Sequence, residues 1–175
     1  LFGGDGVDIL RALAAAPIGL LMDGGDGGDG FDLNAVTDLT AATIQGGAGD
    51  DGADLFGGNL QLGTTLLGTA GDDSYDFGGI TPVAFGTAWI SLLYAGAGND
   101  TVIASGTALG NTLYGEGGND SLIGAAAQDY LDGGTGNDTL AGDAGDDVYI
   151  LDSAGDVVVE AAGGGPDLAY ASGTI

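Results

Sequence analysis

The stretch from Gly133 to Ile150, GGTGNDTLAGDAGDDVYI, states one nine-residue phrase twice. Each copy has glycine first and fourth, aspartate sixth and a large apolar residue eighth. The sixth-position acids Asp120, Asp129, Asp138, Asp147 and Asp156 are nine residues apart without exception, and Leu122, Leu131, Leu140, Tyr149 and Val158 keep step two places later. A fixed period of this kind means stacked repeats, each unable to bury its apolar side alone. Backwards, Asn111 and Leu113 fit the frame with Asn in the acid position. Asp100 and Val102 lie eleven residues before Asn111 and Leu113, so two residues are inserted there. Asp73 precedes Asp100 by 27 residues, which reads as three periods with Pro82 and Ser91 at the acid positions between them. Further back the frame loosens: DGGDGGDGFDL offers Asp29 or Asp32, GGAGDDGADLF offers Asp51 or Asp54, and Asp8 closes the series.

Within a phrase, glycine at the first and fourth places permits positive φ and tight turning. The residues after the acid alternate polar and apolar, as a short half-buried strand does. Two phrases make one coil with a strand on each side, which predicts an all-β, parallel β-solenoid of two short sheets. Leu122 should stack on Leu140 and Leu131 on Tyr149. The same stacking sets Asp120 beside Asp138 and Asp129 beside Asp147. Carboxylates about 6 Å apart repel by roughly 3 kcal/mol at an effective dielectric of ~20. Repeated along both edges, that exceeds the stability of an ordinary domain, ~5–15 kcal/mol. The fold therefore needs cations. Carboxylates and turn carbonyls, with no nitrogen or sulfur, suit Ca²⁺ better than Mg²⁺.

Composition points the same way. The chain has 26 acidic residues, 24 of them Asp, against one basic residue, Arg11, for a net charge of −25. Nucleic acid and anionic membranes both need basic surface and are poor partners. Leu, Ile, Val and Phe number 43 in 175 residues, close to the level below which highly charged chains stay disordered. Cysteine and histidine are absent, which removes disulfides, thiolate nucleophiles, His-based triads and His-ligated zinc. No apolar run reaches the ~18 residues of a membrane span. Glu116 and Glu160 are 44 residues apart and nothing pairs them as a catalytic dyad. The chain is therefore expected not to be an enzyme.

GGTGNDTLA and GDAGDDVYI resemble the Gly- and Asp-rich nonapeptides of the repeats-in-toxin (RTX, hemolysin-type) family, GGxGxDxUx. The resemblance is strong from Gly96 to Tyr170, patchy from Gly3 to Asp76 and absent from Phe77 to Tyr94. It implies a right-handed parallel β-roll with several Ca²⁺ ions in the turns on both edges, export through a type I secretion channel, and folding outside the cell. By position it implies side-chain ligands at Asp8, Asp29 or Asp32, Asp51 or Asp54, Asp73, Asp100, Asp120, Asp129, Asp138, Asp147 and Asp156. Turn donors would come from Gly96 and Gly98; from Gly115, Gly117 and Asn119; from Gly133, Thr135, Gly136 and Asn137; and from Gly142, Ala144, Gly145 and Asp146. Sites pairing through Asn111, Pro82 or Ser91 should be missing.

The expected organisation is degenerate repeat coils over 1–76, non-consensus apolar coils over 77–94 and regular coils over 95–175, one continuous solenoid cut from a larger protein. ILRALAAAPIGLLM reads as two degenerate coils or a packed cap, with Pro17 and Gly19 against a partner-binding helix. GITPVAFGTAWISLLY, with Phe85, Trp89 and Tyr94, reads as metal-free coils with a larger apolar core. The other reading is an exposed aromatic contact for a glycan or protein. The expected function is a calcium-binding structural module of a large secreted bacterial surface, matrix or adhesin protein, extracellular or at the cell surface. Calcium is its first partner, and self-assembly or a cell-surface glycan the further ones. The alternatives are the carrier block of an exported toxin or hydrolase, and an ice-binding roll. The last needs aligned Thr and Asn ranks, but neighbours of Thr135/Asn137 read Gly117/Asn119, Ala126/Gln128 and Ala144/Asp146.

Overall fold

A computed structural model describes residues 1–12, 19–32, 42–54, 64–76, 90–105 and 110–172. These contain seventeen strands and no helix. In chain order they are β1 (Phe2–Asp5), β2 (Ile9–Arg11), β3 (Leu21–Asp26), β4 (Gly30–Asp32), β5 (Thr43–Ala48), β6 (Gly52–Asp54), β7 (Thr64–Ala70), β8 (Ser74–Asp76) and β9 (Ile90–Ala97). There follow β10 (Thr101–Ile103), β11 (Thr112–Gly117), β12 (Ser121–Ile123), β13 (Tyr130–Asp132), β14 (Thr139–Ala141), β15 (Val148–Leu151), β16 (Val157–Val158) and β17 (Leu168–Ala171). Odd-numbered strands form one nine-stranded parallel sheet in chain order and even-numbered strands form an eight-stranded one. The chain thus alternates between two facing sheets, which is a parallel β-solenoid.

Only one residue in each short strand needs to be apolar, because side chains alternate between the interior and the outside. The interior file of the odd sheet is Met22, Ile44, Leu93, Leu113, Leu131 and Tyr149; that of the even sheet is Leu10, Phe31, Tyr75, Val102, Leu122 and Leu140. These are the eighth-position residues of successive phrases. The expected stacking holds: Leu122 pairs in register with Leu140, and Leu131 with Tyr149. The core is one residue wide per strand, so each coil depends on its neighbours for cover.

Three expectations change. The 27 residues from Asp73 to Asp100 are one long coil and not three phrases. β8 pairs directly with β10 and β7 with β9, and three phrases would have carried Asp100 to the opposite edge. Pro82, Phe85 and Trp89 lie outside the described residues. Likewise, ILRALAAAPIGLLM is not two coils. Leu10 and Met22 lie on facing sheets within one turn, with residues 13–18 outside the described set. Finally, glycine at the first place is not there for positive φ. Positive φ falls at the fourth place, as in Gly98 (155°), Gly118 (139°), Gly136 (148°) and Gly145 (150°). It falls also at the second, where Glu116 (76°) and Asp143 (71°) adopt it without being glycine.

Candidate metal centres

Each strand of the even sheet from β4 to β14 is entered through a turn that ends in a buried acid: Asp29, Asp51, Asp73, Asp100, Asp120 and Asp138, none more than 3% exposed. Asp8 and Asp156 continue this column at its two ends, half-buried. The choices left open by the sequence resolve in favour of Asp29 and Asp51. Asp32 and Asp54 are paired strand-end residues of β4 and β6, three places beyond the turn acids. Asp32 accepts a hydrogen bond from Arg11 Nε at 2.7 Å.

One carboxylate oxygen of every acid in the column after Asp8 has a fixed duty. The backbone N–H of Asp8 donates to Oδ1 of Asp29 at 2.8 Å, that of Asp29 to Asp51 at 2.7 Å, and that of Asp51 to Asp73 at 2.8 Å. The chain of bonds continues from Asp73 to Asp100 at 2.6 Å, Asp100 to Asp120 at 2.8 Å, Asp120 to Asp138 at 2.8 Å and Asp138 to Asp156 at 3.0 Å. Each acid therefore locks the register of the coil before it. The other oxygen, Oδ2, is buried without any hydrogen-bond partner in Asp29, Asp51, Asp73, Asp100, Asp120, Asp138 and, on the other edge, Asp147. A buried ionised oxygen left unpaired is costly, by several kcal/mol per ion after relaxation. A row of them, one per coil, fits a row of bound cations.

The first-position glycine owes its identity to this oxygen. A Cβ at Gly24, Gly46, Gly115, Gly133 or Gly142 would collide with Oδ2 of the acid five residues on in the same phrase. At Gly115 it would also meet the Gly133 carbonyl oxygen of the next coil. So Gly115, Gly133 and Gly142 each leave room for a carboxylate, and at Gly115 it lies beside a backbone carbonyl. The third-position carbonyls of Gly117 and Thr135 accept from the N–H of Gly98 and Gly118, which leaves one lone pair each. In the fifth place, Asn99, Asn119 and Asn137 form a side-chain ladder on Asp72. Asn99 N–H donates to Asp72 at 2.7 Å, Asn119 N–H to Asn99 Oδ1 at 2.9 Å and Asn137 N–H to Asn119 Oδ1 at 2.9 Å. Their side chains hold turn to turn, and only their backbone carbonyl oxygens remain to face a cation. The Asn rank is continuous on this edge; Ala126/Gln128 and Ala144/Asp146 belong to the opposite one. Thr135 still has no Thr neighbour, with Gly117 in register.

The second edge is acidic only in its later coils. The positions entering β3, β5 and β7 in the same register are Leu20, Ala42 and Thr64, and Ser91 stands at the fourth. Asn111 follows, then Asp129 and Asp147. Asp129 is fully engaged: Oδ1 accepts from Asn111 and Oδ2 from the Ala125 N–H at 2.6 Å. Its loop, Ala125-Ala126-Ala127, is closed upon the acid itself. Asp156 is similar, with Oδ2 taken by the N–H groups of Asp152 and Ser153 at 3.0 and 2.9 Å. These two acids serve the turn rather than offering a free oxygen. Two residues the sequence reading missed also belong here. Asp167 accepts from the Asp147 N–H at 2.9 Å, as the sixth residue of one more phrase. Its signal was AGGGPDLAY, displaced by the same two-residue insertion seen before Asn111. The other is Glu160, outside any phrase, which accepts from the Tyr149 hydroxyl.

Burial, opposed only in part by the backbone donors, drives seven of the metal-free acids toward protonation. Asp73 and Asp120 are pushed up to about 7 and Asp147 to about 6, and Asp51, Asp100, Asp129 and Asp138 are raised as well. Burial and the nearby Asp73, Asp51 and Asp100 also raise the Tyr75 phenol, whose hydroxyl sits unpartnered in the core. Tyr94 lies half-buried, its ring stacked on Tyr114 at 5.0 Å and 11°.

A parallel solenoid whose turns carry a file of unpartnered carboxylate oxygens is a cation-binding β-roll. The family model for the RTX calcium-binding nonapeptide repeat (4 copies) matches residues 90–106, 105–140 and 126–158, and over that stretch the chain is made of this family's repeats. That match supports calcium as the cation of these turns. The coils of Asp8 to Asp73 precede the matched stretch and share its stack. No curated protein and no solved structure matches the chain.

Proposed function

We propose that this chain is a calcium-folded structural module of a large secreted protein, of the surface, matrix or adhesin kind, and that it does no chemistry. The observation that carries the reading is the unbroken file of buried, unpartnered Oδ2 atoms from Asp29 to Asp138. A catalytic site singles out one or two groups; this arrangement repeats the same oxygen coil after coil, which is how a ligand set behaves and not a nucleophile or base. Asp29, Asp51, Asp73, Asp100, Asp120 and Asp138 are the side-chain ligands, with carbonyls of the intervening turns completing each seat. Export in an unfolded state suits a chain that carries a charge of −25 and cannot close until calcium is supplied. A second copy or a cell-surface glycan as partner belongs to the same proposal. Counting bound ions tests it. Equilibrium dialysis against Ca²⁺ should show several ions per chain, and Asp120→Asn with Asp138→Asn should remove some of them. A chain that folds and retains no calcium would sink the reading.

A further inference from the structure

The second edge lacks a file of acids, yet it contains the densest group of carboxylates among the described residues. One oxygen each from Asp147, Glu160 and Asp167 lies within 4.8 Å of the other two. Two of the three follow the repeat, with Asp167 stacked on Asp147. Glu160 does not. It arrives from the connection between β16 and β17, and the Tyr149 hydroxyl, itself receiving the Gly142 N–H at 2.9 Å, donates to its Oε1. Asp147 is 1% exposed, its Oδ1 is used by the Asp129 N–H at 2.7 Å and its Oδ2 has no partner. That free oxygen and the Tyr149 hydroxyl converge beside Gly142, where an added Cβ would strike both. The unpaired buried oxygen thus faces the place to which Tyr149 brings Glu160. No cationic side chain answers it, because Arg11, the chain's single basic residue, is bound to Asp32 in the earlier coils.

We propose that Asp147, Glu160 and Asp167 form a distinct divalent-cation seat that takes Ca²⁺, with Tyr149 as the positioning residue for Glu160. The choice of ion rests on the calcium-module reading above. Oxygens up to 4.8 Å apart can face each other across an ion bound at ~2.3–2.6 Å, the range for calcium. The seat differs from those of the even-sheet edge in kind. Those take one free carboxylate oxygen per turn from the nonapeptide, whereas this one adds a third carboxylate from outside the repeat. Higher ligand charge means tighter binding, so this ion should be the last to leave as calcium is withdrawn. It pins the β16–β17 connection to the roll.

The test uses the full chain and Ca²⁺ alone, with ions counted by dialysis and affinities resolved by calorimetry. E160Q should lose one ion, the tightest, weakening that class by at least about tenfold. D167N should lose the same ion, and the double variant no more than either. E116Q, which alters the chain's other glutamate, should match the wild type. An E160Q chain that keeps the wild-type count and its tightest class overturns the proposal, even if it melts earlier, because Glu160 would then be only a partner for Tyr149. Crystals of the wild type grown in Ca²⁺ give a measurement independent of variant folding. An ion touching all three carboxylates supports the seat, and water there with ions along the even-sheet edge refutes it alone. A wild type that binds no Ca²⁺ refutes the module reading and this seat together.

Discussion

At the scale of the residue, the aspartate at place six has two jobs, one per oxygen. From Asp29 to Asp138 on the even-sheet edge, Oδ1 accepts the N–H of the neighbouring coil's aspartate and so ties the two coils in register, while Oδ2 has no partner and is open to a cation. Asp29 and Asp32 separate these roles from mere charge. Asp29→Asn should raise the calcium midpoint of folding by about tenfold, or ~1.4 kcal/mol, whereas Asp32→Asn should leave it in place, since Asp32 faces Arg11. A circular-dichroism titration distinguishes them, and equal shifts would mean that calcium responds to bulk charge. Protons compete for the same oxygens. Asp73 and Asp120 titrate near 7 in the metal-free roll and Asp147 near 6, while an unfolded Asp titrates at 3.8. Between those values the folded, calcium-free chain holds protons that the unfolded chain has lost. Its stability from these groups is therefore present at low pH and disappears as pH rises through about 7. Calcium must displace those protons from the folded roll, so the roll's affinity for calcium should fall as pH falls from about 7.5 to about 5.5. Calorimetric titrations across that range would contradict the account if the affinity stayed fixed.

At the scale of the element, a strand and its turn fail in different ways. Leu140 is fully buried between Leu122 and Val158. Leu140→Ala should cost roughly 2–5 kcal/mol, seen as earlier melting at saturating calcium with the ion count unchanged. Gly133→Ala should do the converse. Its backbone has no positive φ to relieve, so alanine suits the conformation, but the new methyl collides with Asp138 Oδ2. Dialysis should show a seat weakened although no acid was removed. Unchanged calcium binding in Gly133→Ala would mean that the glycine serves only the turn. These elements were the most legible part of the sequence. The strict spacing of Asp120, Asp138 and Asp156 placed strand, turn and stacking partner correctly, because a fixed period leaves one register that keeps Leu122 and Leu140 inside together. Spacing failed where a coil can lengthen without leaving the stack. Lengthening the connection between two stacked strands costs little entropy, so a spacing of 27 residues between Asp73 and Asp100 is compatible with one coil as well as with several phrases of nine. Asp129 and Asp156 show the other limit, since their place in the frame is right and their Oδ2 atoms are nonetheless consumed by nearby N–H groups.

At the scale of the whole molecule, the roll is asymmetric. One edge carries its acids from Asp8 to Asp156, whereas the other substitutes Leu20, Ala42 and Thr64 before its acids begin. That difference was hidden in the sequence, because coils of 20 to 22 residues hold one clear phrase and one irregular half whose acid position no motif marks. Neighbouring carboxylates one strand spacing apart, ~4.8 Å, repel by roughly 3 kcal/mol per pair at an effective dielectric of ~20. Against this stands a core one side chain wide. The balance makes cation binding part of folding, and the most direct test is the hydrodynamic radius and far-ultraviolet circular dichroism of the full chain in excess chelator and then in millimolar Ca²⁺. At neutral pH the chain should be expanded and largely without β-signal in chelator. It should collapse cooperatively to a compact β-rich form with Ca²⁺, while the same concentration of Mg²⁺ does this poorly. A chain already compact and fully β-structured in chelator would contradict the claim that calcium holds these coils together.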